Sequence, residues 1–447
     1  MHNPTRKIED YLFVWAEKCP HQIAVACGSE ELTYAKLAQE VVLRKEEFQR
    51  SGLNCKNAMV VRSSQDIDFL ITYLAVHLLD GVMVPLESSI SDETLHEVLK
   101  MTEHADIPSG TADILFTTGT TGKRKGVIIS HEAILANAEN LIDAHEFKHD
   151  LAFIISGPLN HIGSLSKIWP TLIVGGTIYI TEGMKDINTF LRTIERPDCL
   201  VATFLVPASI KMLLTFGKKQ LAQYIDKIDF IETGAAPISQ QDMEALCKLL
   251  PHTRLYNTYA STETGIICTH NYNTNQCWAG CLGKPMKNSS VTITNEGIVA
   301  CSGKTLMTGY LNDEKTTKEI LKNGIIYTHD QGYIDEYGYL HLAGRKDDII
   351  NVGGFKVNPI EIENVALTYQ NISDCICVPD THPVLGTVLR LIVVTHGQQP
   401  LDKRGLASFL TSKLEHYKVP HFYTQVEKLH RTYNGKLDRK AYLQDSC

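Results

Sequence analysis

The chain has 447 residues, 43% hydrophobic and 21% charged, with a formal net charge of −8 and a pI near 6.1. That length exceeds one ordinary core and implies two or three domains of globular composition. The acidic balance argues against nucleic acid as the main partner, which usually requires a basic face.

At the N-terminus, Arg6 and Lys7 are followed by Glu9 and Asp10 rather than by an apolar targeting segment. The longest apolar stretch, 69–86, is interrupted by His77, Asp80 and Pro85, so a core helix and strand are expected there and no membrane span. The twelve cysteines lack framework spacing. Their close pairs, Cys277/Cys281 and Cys375/Cys377, have no second pair or histidine at zinc-binding distance in sequence. Free thiols and a cytoplasmic location are expected. Apolar runs at 58–61, 82–86, 114–116, 153–155, 177–180, 200–205, 227–231 and 254–256 read as strands, with helical patterns such as 187–194 and 239–250 between them. The alternation predicts an α/β chain with parallel sheets and helices on both faces. After about residue 283, short strands at 291–294, 298–301 and 339–343 with tight turns between them predict a small antiparallel β unit. The last hundred residues return to mixed α and β.

Five clusters carry chemistry. At 114–126 an apolar strand ends in Thr117-Thr118-Gly119-Thr120-Thr121-Gly122-Lys123-Arg124-Lys125-Gly126. Hydroxyls, backbone N–H groups and ammonium charge converge there, as a polyphosphate requires, though an ordinary polar turn has the same composition. It is not a Walker A loop, because Gly119 and Gly122 are too close and Lys123 is followed by Arg124. Tyr256-Asn257-Thr258-Tyr259-Ala260-Ser261-Thr262-Glu263 follows a predicted strand. There Glu263 can hold Mg²⁺ and Thr262 can donate to a phosphate oxygen, or Glu263 is a solvated loop acid. Asp330 and Arg345 can each hydrogen-bond a ribose diol, or form a surface ion pair. Gly353-Gly354-Phe355-Lys356 implies unusual backbone or a close ligand, and Pro359 opens a helix behind it. Asn434-Gly435-Lys436 is a tight turn carrying a cation.

Together and in this order, the clusters resemble the adenylate-forming enzymes: acyl- and aryl-CoA synthetases, the adenylation domains of peptide synthetases, and luciferase. The resemblance runs over 20–443. It implies a large N-terminal domain of stacked sheets with helices plus the antiparallel unit (1–344), which binds ATP and the acid. A hinge (345–347) and a small mobile α+β C-terminal domain (348–447) follow. Thr117 to Gly126 match the phosphate-binding loop, and Gly234-Ala235-Ala236-Pro237 a segment flanking adenine. Tyr259 to Glu263 match the motif that stacks a tyrosine on adenine and holds Mg²⁺ with a glutamate. Asp330 and Arg345 match ribose contacts, Asp347 the hinge, Gly354 with Lys356 the loop lining the thiol tunnel, and Lys436 the catalytic lysine. Pro158-Leu159-Asn160-His161 resembles a segment whose histidine lies between the acid and thiol sites.

The chain departs from the family pattern at Arg124, Ala260, His329, Asn351 and His430, and 86–112 is shorter than usual, implying a missing peripheral element. None of these departures removes a charge assigned to chemistry. The implied reaction is attack of a carboxylate on the α-phosphorus of ATP, then of a thiol on the acyl-adenylate, releasing AMP and pyrophosphate. The acceptor is CoA or, alternatively, the pantetheine arm of a carrier protein. No acid sits in 158–161 to pair with an ammonium group, so a plain carboxylic acid is expected. Its pocket would be walled by His161, Ile162, Phe204, Ala235, Thr258 and Ala260. Ala260 in place of glycine favours an aryl or short-to-medium chain.

Overall fold

The strands that build the centre are runs in which both faces are apolar. All five residues of Leu151–Ile155 are buried, as are all five of Val82–Leu86, the pattern of a strand covered on two sides. The computed structural model describes residues 7–52, 58–118, 124–184, 186–274, 277–278, 280–432 and 437–443.

The larger sheet has 14 strands. Its middle is parallel, with Arg254–Ser261, Ile228–Thr233, Leu200–Leu205, Leu151–Ile155 and Thr177–Ile180 side by side. Helices between the strands start at the capping residues that the sequence supplies. Ser239 Oγ accepts from the Asp242 N–H and Asp66 Oδ1 from the Phe69 N–H.

The antiparallel unit expected after residue 283 is present, but it is not separate. Gly265–Asn271 turns back on Arg254–Ser261, then pairs with Cys281–Pro285, which pairs with Leu340–Arg345. The parallel and antiparallel blocks are therefore one continuous sheet. The pairing of Cys281–Pro285 with Gly265–Asn271 needs a glycine: Gly283, at φ +75°, passes so close to Thr269 that a Cβ would sit 1.9 Å from its carbonyl oxygen.

A second sheet of five strands carries Thr111–Thr118 and Arg124–Ser130 as an antiparallel hairpin. The sequence reads 114–116 as a strand ending in a loop. In the structure the strand runs on through Thr118, with Thr117 opposite Lys125 and Thr118 opposite Arg124. In the short 86–112 stretch the helix Asp92–Glu103 covers this sheet through Val98.

Beyond residue 349 the chain builds its own core from Ile350, Val357, Ile362, Leu391, Leu406 and Leu410, among others. It surrounds the strands Ile372–His382, Gly386–Thr395 and Phe422–Gln425 and a short hairpin, Ile350–Val352 with Phe355–Val357. Among the described residues, side chains that tie this unit to the rest include Lys211, whose Nζ donates to the Ser373 carbonyl, and Asn358, whose Nδ2 donates to the Ala343 carbonyl. Among the described residues no helix is long and apolar enough to cross a membrane. The ten described cysteines are free thiols.

Candidate active site

Tyr259 lies near the end of Arg254–Ser261, among Ile267, Cys268, Leu282, Val299 and Cys301, with only an edge (6%) exposed. Its hydroxyl donates to Asp330 Oδ2 at 2.6 Å. Burial first, and then the Asp330 charge, hold this phenol well above its ordinary pKa, so it stays a donor. Asp330 and Arg345 are direct partners across two antiparallel strands. Arg345 Nε lies 3.3 Å from Asp330 Oδ1, and the Asp330 N–H donates to Thr328 Oγ1 at 3.1 Å. The two residues do form an ion pair, but one whose carboxylate is held from two sides, by Tyr259 and Arg345, while the arginine side chain remains 46% exposed. A carboxylate held this way, beside an open guanidinium, can take both hydroxyls of a vicinal diol.

Four residues further on, the chain turns. Ser261 and Thr264 brace the turn, the Ser261 N–H donating to Thr264 Oγ1 and the Thr264 N–H to Ser261 Oγ. Thr262 and Glu263 are thereby displayed at its tip. Glu263 Oε1 accepts from the Tyr310 hydroxyl at 2.9 Å, and Lys125 Nζ stands 5.0 Å from the centre of the same ring. Burial, then Glu263, raises the Tyr310 phenol too. A cleft of about 400 Å³ opens here between Arg124, Lys125, Tyr310, Asp313 and Thr316. Glu263, partly exposed and with Oε1 alone held by Tyr310, suits a hard cation that takes oxygen ligands. Gly119, Thr120, Thr121, Gly122 and Lys123 at the hairpin's tip lie outside the described residues, as does Lys436.

The third group lies at the carboxyl ends of the parallel strands, where open α/β sheets bind ligands. A Cβ on Gly234 would come 2.8 Å from the Thr258 carbonyl oxygen, so only glycine lets these strands approach. Ala235 follows at φ +67°, a left-handed conformation that L-residues adopt under strain and that collects at functional sites. Ala236 is half-buried and Pro237 exposed. His161 Nδ1 accepts from the Gly163 N–H at 3.2 Å, capping the short helix Ile162–Leu165. Phe204 fills the space over both Gly163 and Gly234, leaving a Cβ on Gly163 only 2.9 Å from its ring. The predicted walls His161, Phe204, Ala235 and Thr258 therefore converge.

Behind this wall lies a charge cluster that sequence reasoning missed. Lys167 Nζ donates to Glu232 Oε1 at 2.9 Å and is 2.7 Å from Oε2, with both side chains buried. His145 Nδ1 is 3.6 Å from Glu232 Oε2, and His145 Nε2 is 3.1 Å from Thr269 Oγ1, itself 3.0 Å from Thr258 Oγ1. Burial, then Lys167 and Arg254, keep His145 neutral. The available signal was one charge of each sign inside two apolar runs. Tyr310 was also missed, and nothing local marks it.

On the C-terminal unit, Gly353 and Gly354 make a two-residue hairpin turn at φ +55° and +93°. Asn351, one of the departures, caps this turn by accepting from the Gly354 N–H at 3.0 Å. Lys356 is exposed on the next strand. The loop of Lys436 is clamped at its base by a bridge between Arg431 and Leu437. Just beyond it, Arg439 makes a two-pronged bond to the buried carboxylate of Glu363, at 2.5 and 2.8 Å.

Residues 101–311 match the family described as AMP-binding enzyme, and 361–436 match the AMP-binding enzyme C-terminal domain. The chain is 30% identical to the 2-succinylbenzoate–CoA ligase of Staphylococcus epidermidis, over 74% of this chain and 69% of that protein. It is also 30% identical to the indoleacetate–CoA ligase of Aromatoleum aromaticum, over 72% of this chain and 65% of that one. ATP-bound MatB from Rhodopseudomonas palustris superposes with a TM-score of 0.88, covering 98% of this chain and 99% of that one; at 21% identity the likeness is one of fold.

Proposed function

The chain belongs to the AMP-binding enzyme family, and on that premise we propose how its residues divide the work of an AMP-forming acid–CoA ligase. Such a ligase forms an acyl-CoA from a carboxylic acid, ATP and CoA by way of an acyl-adenylate. One observation carries the division: a single strand and its turn present Tyr259 to the Asp330–Arg345 pair and Glu263 to Tyr310 and Lys125. The first pair would bind ribose, with Tyr259 offering its edge to the base. Ala235, Ala236 and Pro237 would close over adenine. Thr117, Thr118, Lys125 and the loop between them would hold the leaving pyrophosphate, with Thr262 donating to a phosphate oxygen.

Glu263 would hold Mg²⁺, which supplies a charge against the developing phosphoryl oxygens. Lys436 would bridge acyl and phosphate oxygens during adenylation. The family-wide expectation that 345–347 pivots and 348–447 swings is supported here by a C-terminal unit with its own core. Rotation would exchange Lys436 for Gly354 and Lys356 at the thiol approach, beside His161.

We favour an aryl acid. Phe204 and Ala260 would make an apolar pocket wall, and both relatives named above are ligases of ring-bearing acids. CoA rather than a carrier protein is the proposed acceptor, by the same likeness, and the free cysteines fit a reducing cytoplasm.

Pyrophosphate release measured over a panel of acids, with and without CoA, tests the assignment. Acid-dependent release with thioester formed only when CoA is added is expected, and release without thioester would point to a carrier. Lys436→Ala should abolish pyrophosphate release while leaving CoA attack on a supplied acyl-adenylate largely intact. Equal loss of both half-reactions would remove Lys436 from its role.

A further inference from the structure

Outside the groups described above, three buried side chains from three helices meet: Glu9 from Ile8–Lys18, His77 from Ile67–His77 and His131 from His131–His145. One ligand-capable atom of each lies within 4.8 Å of the others, and Glu9 Oε2 is 4.0 Å from His77 Nδ1. Glu9 is 1% exposed, His77 0% and His131 8%. Buried polar atoms are normally hydrogen-bonded. Here both oxygens of Glu9, Nδ1 of His77 and both nitrogens of His131 have no hydrogen-bond partner among the described residues. One such atom from each residue within 4.8 Å of the other two is the spacing that a coordination shell requires.

The surroundings prepare the ligands. His77 Nε2 lies 3.0 Å from Asp113 Oδ1, and a carboxylate only accepts, so Nε2 carries a proton and Nδ1 is the ring atom turned toward Glu9. Asp113 is held in turn by the Tyr73 hydroxyl at 2.9 Å, which accepts from Trp169 Nε1 at 2.9 Å. A carboxylate behind a histidine, itself fixed by further bonds, is the outer shell that orients metal-binding imidazoles.

We propose that Glu9, His77 and His131 bind one divalent transition-metal ion of zinc-like chemistry. Two imidazoles and one carboxylate suit zinc or its neighbours and not magnesium or calcium, which take oxygen ligands. Bonds of about 2.0–2.2 Å would draw the three groups together by roughly 1 Å, a side-chain adjustment. The ion would clip the first helix onto the two helices beneath it. It would also brace Asp113, which stands on the strand leading to Thr117 and Thr118.

The test uses the whole chain, stripped with chelator and reloaded with Zn²⁺ or Co²⁺. One ion per chain by elemental analysis, a higher melting temperature with Zn²⁺, and a Co²⁺ visible spectrum without a thiolate charge-transfer band are expected. Asp113→Asn should weaken Zn²⁺ binding about 10–100-fold. His131→Leu should abolish both the stoichiometric ion and its thermal effect. If stripped protein binds no stoichiometric ion, or if His131→Leu keeps it, the site is refuted. A His131→Leu variant as stable as the zinc-treated parent would show instead that the histidine is only a buried polar group.

Discussion

Asp330 is the residue on which the proposed ribose site turns, and its hydrogen bond from Tyr259 can be tested by substitution. Tyr259→Phe removes the donor at 2.6 Å and leaves the ring in its cluster. A hydrogen bond to a charged group contributes about 1.5–3 kcal/mol, so ATP affinity should fall by roughly ten- to a hundred-fold if the bond fixes the ribose site. With Asp330→Asn already present, the same change should do much less. Additive losses would mean that the two residues act separately. Glu263→Gln keeps an acceptor for Tyr310 but gives a divalent ion a poorer ligand. The adenylation rate should drop by about 10²–10³-fold with a raised Mg²⁺ requirement. An unchanged Mg²⁺ dependence would make Glu263 a loop acid. Most of these groups were legible in the sequence, because each stands in a motif of several residues. Tyr310 and the Lys167–Glu232 pair were not, since a lone residue acquires its role only from what folds against it.

At the level of elements, the predicted strands at 82–86, 177–180 and 200–205 have the bounds seen in the structure, for they are short apolar runs with turn residues at both ends. The hairpin beyond Phe116 and the joining of the two blocks into one sheet were not foreseen. Both depend on pairings between strands, and periodicity within a strand carries no information about its neighbour. The C-terminal helix Pro359–Ala366 shows another such dependence. In the fold its Glu363 accepts from Arg439 and from the Cys377 N–H in a buried site. Glu363→Gln would take the two-pronged carboxylate from Arg439 and leave it Asp348 at 3.8 Å. That should destabilise the C-terminal unit by about 1.5–3 kcal/mol. The Lys436 loop, anchored through Arg439, should lose adenylation before thioester formation. A variant that melts like the parent and keeps both half-reactions in proportion would disconnect this anchor from the loop.

For the whole molecule the question is whether the two units turn against each other. Asp347 lies in the 3-10 turn Lys346–Asp348 between them. Such turns have φ near −60°, which proline fixes covalently. Asp347→Pro should therefore hold the present arrangement, keeping one half-reaction and stopping the other. Equal slowing of both would exclude rotation about this residue. A last consequence follows from the continuous sheet. Because hydrogen bonds run unbroken from the parallel strands through Gly265–Asn271 to Leu340–Arg345, everything up to the pivot should melt as one cooperative body. The C-terminal unit, with its own core, should melt by itself. A calorimetric trace would then contain a small early step and a large later one, and amide exchange would find the thiol-side machinery opening while the nucleotide site is still closed.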